Sequence, residues 1–552
     1  MKKNIYNSIM AVAMFAMAFT FASCDDWLDK SPDDRADLTE TGDKSSKDYE
    51  KINYIITSAY PECSTAFLAE MSSDNVDDVQ YYAATKASYS SAQKEMFLFK
   101  QVIDEDWDTP YWLWNYYYKA IATANTALEA IDEIGAENLK AQRAEALLCR
   151  AYSMMKLAEV FCMAYDPTKA DTLLGLYYPK SVIEDITLVP ERGTLAELYA
   201  NIDADIEEAV GGDVPMLNEN HMSVPKYHFN LKAAYAFAAR FNLYYQKWQK
   251  AADYATKALG ASPETSLRDL SGYKLEAAGA EDIFNMYIRS SNNCNFMIMN
   301  AYSLAGRSGG SYNRFNHNSW IVNNETYSAK CIFGAGSTGL FYWCDMLYIY
   351  SGNEAAYSFF PKFIEKFEYT DKIAGTGTPH VVDCVFTGDE TILVRAEAYA
   401  HLKQYQKAYD DLNKWAVPHT KPRAGILDSR PILSAESIAE SLEDVEYANP
   451  IPENTRQRTL RKKLHPQGFT VEAGEQENLI HMILHFRRLE TLFQGLRFYD
   501  LKRYGIEYTH FVDKADHIDP VTFKAGDLRG AVQLPQAVIN SGIQPNPRED
   551  EK

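Results

Sequence analysis

After its first two dozen residues, this chain of 552 has no long uninterrupted apolar run. A membrane-crossing helix needs about 20 consecutive apolar residues, so no later segment reads as a span. The chain also has no C-x-x-C, which removes the common zinc arrangements. Of its eight cysteines, seven remain when Cys24 is set aside, an odd number that indicates no complete disulfide framework. Cys63, Cys149, Cys162, Cys294, Cys331, Cys344 and Cys384 therefore read as small buried apolar residues. There is no G-x-S-x-G elbow, P-loop or dinucleotide fingerprint, and no pair of carboxylates stands out for acid–base work. Asp74 to Asp78 is acidic but lacks the glycine-bearing twelve-residue loop of an EF-hand. Positive charge is scarce: 55 Lys and Arg face 76 Asp and Glu, for a formal charge of −21. Nucleic acid and anionic membrane surfaces need basic patches and are excluded as partners. No catalytic residue, metal or cofactor is expected.

The first residues have the layout of a secretory signal. Lys2 and Lys3 give a positive head, Ile9 to Phe21 an apolar run, and Ala22-Ser23 a small-residue site before Cys24. Residues 1–23 are read as a lipoprotein signal peptide, with Cys24 lipidated through its sulfur. Residues 24–48 then form the lipid anchor and a polar tether, with the acyl chains as the membrane attachment. Residues 49–552 read as a single domain.

Helical period dominates that domain. Ile121, Ala124, Leu128 and Ile131 recur three or four apart, and Ala141, Ala144, Leu148, Ala151 and Met155 repeat the pattern after Gly135. Helix pairs are expected at about 112–164, 194–259, 389–415 and 476–503. Laying Ala251 on Ala408 also lays Ala239 on Ala396, Trp248 on Tyr405 and Lys250 on Lys407. These spacings resemble a tetratricopeptide repeat, whose small residues let paired helices approach closely. Ala258 and Pro263 extend the match in the first hairpin, while Trp415 departs from it in the second. Residues 260–388 are rich in Gly, Ser, Asn and aromatics and read as a loop-rich insert, the usual place for function on a rigid scaffold. The expected fold is all-α: about four tetratricopeptide-like pairs with long irregular ligand-binding loops.

Several motifs together resemble the SusD/RagB family of Bacteroidetes. They begin with Cys24, Asp26-Trp27-Leu28-Asp29 and Pro32. Trp114, Tyr118, Ile121, Ala124 and Asn125 follow, then Ala144, Glu145, Ala146, Arg150, Ala151 and Tyr152. Arg487 to Arg503 is similar to the family's C-terminal helix, with Gln494 where Glu is usual, and Leu534-Pro535, Ile539-Asn540 and Asn546-Pro547 close the match. The resemblance implies a non-catalytic cell-surface lipoprotein of the outer membrane. Such a protein captures oligo- or polysaccharide and delivers it to a SusC-like TonB-dependent transporter, over which it acts as a hinged lid. It also leaves open a RagB-like peptide receptor. Outside the family, a secreted helical glycosidase or a pure repeat scaffold is the rival reading.

A glycan site needs flat aromatic faces together with amide or guanidinium groups. Tyr312, Asn313, Arg314, Phe315, Asn316, Asn318 and Trp320 interleave both types and are the leading ligand candidates. Tyr342 and Trp343 share an aromatic context, and Tyr81 and Tyr82 follow the Ser73-Asp74-Asn75 segment. Asp74 and Asn75 are ligand candidates too, although capping or turn formation is the stronger reading. Trp107, Trp112 and Trp114 offer a sugar platform, but Trp112 and Trp114 begin a helix, and packing of the first repeat is the stronger reading. His481 and His485 have zinc-pair spacing, but Met482 and apolar neighbours make them core. Arg487, Arg488 and Glu490 are expected in ion pairs at the helix packing.

Overall fold

The computed structural model describes residues 47–78, 90–135, 138–183, 185, 189–276, 279–306, 314–334, 341–350, 357–422, 429–450, 458–511 and 520–548. Helix α1 spans Lys47–Thr57. Helix α2, Pro110–Ile134, starts where Thr109 accepts from the Trp112 N–H and Pro110 takes the first turn, and stops at Gly135 with φ 102°. Helix α3 follows over Lys140–Phe161. A capping box between Thr194 and Glu197 starts α4, Leu195–Val210. Asn230 caps α5, Leu231–Tyr244, and α6 runs over Trp248–Leu259 to Gly260. Strands β1 (Asn295–Tyr302), β2 (Lys366–Asp371) and β3 (Thr376–Thr387) come next. Thr387 then caps α7, Gly388–His401, which is followed by α8 over Tyr405–His419. Helices α9 (Glu475–Glu490) and α10 (Leu496–Arg503) complete the scaffold.

Helix α2 packs on α3, α4 on α3, α5 on α6 and α7 on α8. Helices α6 and α7 also pack against each other, so two hairpins far apart in sequence are neighbours in space. Ala239, Ala251, Ala396 and Ala408 are buried between the paired helices, as the repeat spacing requires. The alignment extends to the turns. Gln246 and Lys403 occupy equivalent places and both adopt the left-handed region, with φ 63° and 57°. Trp415, which breaks the repeat pattern, is fully buried and stacks on Phe486 at 4.6 Å, filling the space between α8 and α9.

The insert is more regular than expected. Strands β1, β3 and β2 form a three-stranded antiparallel sheet in that spatial order. Residues Asn295 to Met299 are buried on both faces, so β1 lacks the polar–apolar alternation that marks a half-exposed strand. Phe386 of β3 lies among Tyr152, Phe229 and Phe237, which seats the sheet against the helical scaffold.

Arg487, at zero exposure on α9, reaches Glu390 (3.3 Å) and Glu397 (3.4 Å) of α7 and Asp500 (3.2 Å) of α10. Arg240 of α5 takes both oxygens of Glu390 at 3.2 Å. Arg503 takes Glu397 at 2.9 Å and Asp500 at 2.6 Å. Removing one partner from such a buried network leaves the others uncompensated. Arg487→Ala is expected to cost about 3–5 kcal/mol, read as a lower urea midpoint. An unchanged midpoint would contradict this account.

Candidate functional site

The acidic segment after the first helices is clamped from inside. Asp74 is buried and accepts from Arg497 at 2.8 and 2.9 Å and from Lys462 at 2.6 Å. Burial opposes its ionisation, but Arg488, Arg497 and Lys462 outweigh that and hold its carboxyl well below the usual range. Asn75 donates to Glu70 at 2.9 Å and accepts from Arg488 at 2.8 Å. Arg314 makes a bidentate pair with Asp78, at 2.9 and 2.7 Å. Phe315 stacks on Phe97 at 4.6 Å, Asn316 accepts from the His317 N–H, and Asn318 caps helix Ser319–Asn324. Trp343 is packed among Tyr327, Trp415 and His419.

These placements put Asp74, Asn75, Arg314, Phe315, Asn316, Asn318 and Trp343, all ligand candidates by sequence, inside the protein. All seven are buried, and the polar groups that nominated them join segments of the chain to one another. Trp320 and Tyr342 keep part of their rings exposed. Cys24, Tyr81, Tyr82, Tyr312 and Asn313 lie outside the described residues.

Several of the buried candidates flank segments 79–89 and 307–313, which hold Tyr81, Tyr82, Tyr312 and Asn313. Asp77 pairs with Asn316 and Asp78 with Phe315 in a short antiparallel ladder. Segments 79–89 and 307–313 each have one end at this ladder. At the far root of the first, Ser91 donates to Asp104 at 2.7 Å. At the far root of the second, the Tyr302 N–H donates to the Glu62 carbonyl at 2.9 Å. The Leu304 N–H reaches the Asp108 carboxylate at 2.6 Å. Asp108 sits in the left-handed region just before the Thr109 cap, and burial pushes its carboxyl up to about 7.

That junction gathers aromatic side chains from separate elements. Trp107 stacks on Trp112 with centroids 5.5 Å apart, and Trp112 stacks on Tyr116 at 4.2 Å. Tyr302, at the end of β1, meets Trp107 edge-on at 6.5 Å. All four rings are half-buried. Trp112 and Trp114 both pack against the core as expected, Trp114 beside Tyr118 and Phe161. From the sequence, Trp107 and Trp112 are weighed as a sugar platform and assigned to packing, while Tyr116 and Tyr302 carry no expectation. A signal was present: Trp112 and Tyr116 lie i, i+4 on α2, off the face of Leu113, Tyr117 and Ile121 that enters the core.

Beside this platform a pocket of ≈ 550 Å³ opens, sharing Tyr302 with it. Its lining includes Tyr60, Glu62, Tyr227, Ile298 and Val382. Behind it the buried Glu145 accepts from the Tyr60 hydroxyl (2.5 Å) and lies against His221 (2.5 Å) and His228 (2.8 Å).

The family described as starch-binding associating with outer membrane matches residues 26–243, and the SusD family matches residues 389–531. The chain belongs to the SusD/RagB family. A SusD superfamily protein from Bacteroides thetaiotaomicron is similar in fold, with 19% identity, 91% of this chain and 99% of that one covered, and TM-score 0.58. A putative sugar binding protein from Bacteroides vulgatus gives 18% identity, 92% and 99% coverage and TM-score 0.59. A SusD-like carbohydrate binding protein from the same species gives 18%, 86%, 89% and 0.55. Among curated proteins, nothing matches the chain. Among the described residues, no helix of this SusD/RagB chain is long and apolar enough to cross a membrane.

One group of metal-ligating side chains comes together among the described residues: Asp389, His419 and Glu490, all buried. His419 Nε2 lies 3.3 Å from Asp389 and 3.2 Å from Glu490, while its Nδ1 lies 2.6 Å from the Trp415 carbonyl. Each ring nitrogen thus faces oxygen acceptors, which suits an imidazolium. Desolvation opposes that charge, but the hydrogen bonds and charges of Asp389 and Glu490 raise His419 to about 9. The site is therefore read as an internal ion pair. His481 and His485, both buried, meet Glu477 and Cys331 instead of each other.

Because His419 has a higher pKa folded than unfolded, its stabilisation is complete below about 6.5 and is lost as pH rises towards about 9. The loss corresponds to roughly 3 kcal/mol. Melting temperature should fall across that window, and His419→Gln should flatten the decline. An equal slope in both proteins would assign the titration elsewhere.

Proposed function

We propose that this chain is a surface glycan receptor whose sugar-stacking face is formed by Trp107, Trp112, Tyr116 and Tyr302. The observation that carries this reading is the gathering of four half-buried rings at a seam between α2 and β1. The adjoining pocket of ≈ 550 Å³ is of ordinary ligand-site size. Pyranose rings present apolar C–H faces that pack on aromatic rings and hydroxyls that need polar partners at the rim. The family's starch-binding description and the sugar- and carbohydrate-binding descriptions of the two B. vulgatus neighbours support the same ligand class.

In this reading Cys24 carries the lipid, and the protein sits on the outer face of the outer membrane. A SusC-like TonB-dependent transporter is its partner, and the chain binds without cleaving. Tyr81, Tyr82, Tyr312 and Asn313 add ligand contacts from the two segments that end at the Asp77–Asp78 ladder, with Trp320 and Tyr342 as outlying candidates.

Native gels containing single polysaccharides test the reading, with product analysis alongside. One polysaccharide should retard the chain without being hydrolysed. Trp107→Ala and Tyr302→Ala should each weaken binding about tenfold, or about 1.4 kcal/mol, with little change in melting temperature. Released oligosaccharides would make the protein an enzyme. Uptake of peptides alone would make it a peptide receptor.

A further inference from the structure

We propose that the pocket beside Tyr302 takes an acyl or aryl substituent carried by the glycan, so that the site selects substituted chains over bare ones. The proposal rests on the glycan reading of the platform. Ile298, Asn300 and Tyr302 alternate along β1 and share one sheet face, and Val382 stands opposite Asn300 across the ladder. That face is one wall of the pocket, the end of α1 through Glu62 is a second, and Tyr227 and His228 are a third. Pro61, Ile288 and Met299 add to an apolar surface.

Part of the polar lining is committed to the protein itself. The Tyr60 hydroxyl donates to Glu145 and accepts from the Phe229 N–H at 2.7 Å. His228 Nδ1 faces Glu145, and the Thr57 hydroxyl donates to the Tyr54 carbonyl at 2.7 Å. Glu62 and Asn300 are exposed, and Glu62 lies 3.7 Å from Lys119. A bare pyranose pushed into this pocket would bury hydroxyls against its apolar surface, where each one left unpaired is costly. An acetyl, feruloyl or similar group has an apolar body and at most a few acceptors, and it loses little there. The platform and pocket share Tyr302, so a chain lying on Trp107 places a side substituent within reach of the pocket.

The test is calorimetric titration of the full chain with p-nitrophenyl and methyl glycosides of glucose, mannose, galactose and xylose. Acetylated xylan and glucomannan and their de-esterified forms are titrated alongside. For the sugar that binds, the aryl or acetylated form should bind at least tenfold tighter. Val382→Trp, which fills the pocket, should erase that preference and leave the bare form within about twofold. Tyr227→Ala, at an exposed wall, should reduce the preference without touching the fold. Equal affinity for substituted and bare forms, or a preference that survives Val382→Trp, overturns the proposal while the platform stands. If Trp107→Ala leaves glycan binding unchanged, or no glycan binds at all, the platform reading fails and this proposal falls with it.

Discussion

Arg487 has no contact with water, and each carboxylate around it serves a second cationic or hydroxyl partner: Glu390 holds Arg240, Asp500 holds Arg503, and Glu397 holds both Arg503 and the Tyr504 hydroxyl. Three arginines and three acids thus share one interior, and an ion buried without a partner costs several kcal/mol. The requirement is geometric before it is energetic. Asp500 and Arg503 pair within α10, but helices α5, α7, α9 and α10 must all be in place before all six charges are satisfied. This explains how hairpins separated by a long insert still stack as neighbours, since the α7 carboxylates take their partners from α5, α9 and α10.

The next residue of α9 carries the constraint to the other side. Successive helical residues point about 100° apart, so Arg487 enters the repeat core while Arg488 leaves it for Asn75, Glu325 and the Asp74 carbonyl. Arg497 and Lys462 complete the grip on Asp74. One helix thereby fixes both the scaffold and the ladder from which segments 79–89 and 307–313 depart. At the same packing, Gly495 takes φ 79° beside Ala66, where a Cβ would lie 2.9 Å from the Ala66 Cα.

The scaffold was legible because its residues act through spacing. The small residues at 239, 251, 396 and 408 announced the hairpins, and Asn125 and Arg150, quoted from two separate motifs, meet at 2.8 Å. Gln494, the departure from the family pattern, donates to the half-buried Asp383 at 2.8 Å, where a glutamate would oppose it. The candidate site was far less legible. Arg314, Asn316 and Asn318 have the composition of a sugar site, yet composition does not tell a group facing solvent from one satisfying Asp78 or a helix end. Tyr302 lies almost two hundred residues from Trp107, and their meeting depends on Asp108 accepting from Leu304, a contact with no local signature. Strand β1 hid for a related reason, since a segment buried on both faces has no alternation to read.

The two kinds of residue divide the molecule by what each tolerates. Buried ion pairs accept little change, because each partner is shared and its loss strands another charge. The platform and pocket lie at a seam between the first long helix and the insert, where half-exposed rings contribute little to the core. Their backbone is held by Glu62, Asp108 and the β1–β3 ladder, through contacts to main-chain groups that do not depend on the identity of residues 107, 112, 116 or 302. A new ligand specificity can therefore be built by exchanging those rings and the pocket wall at 227, 288 and 382. The charges that fix the fold stay in place.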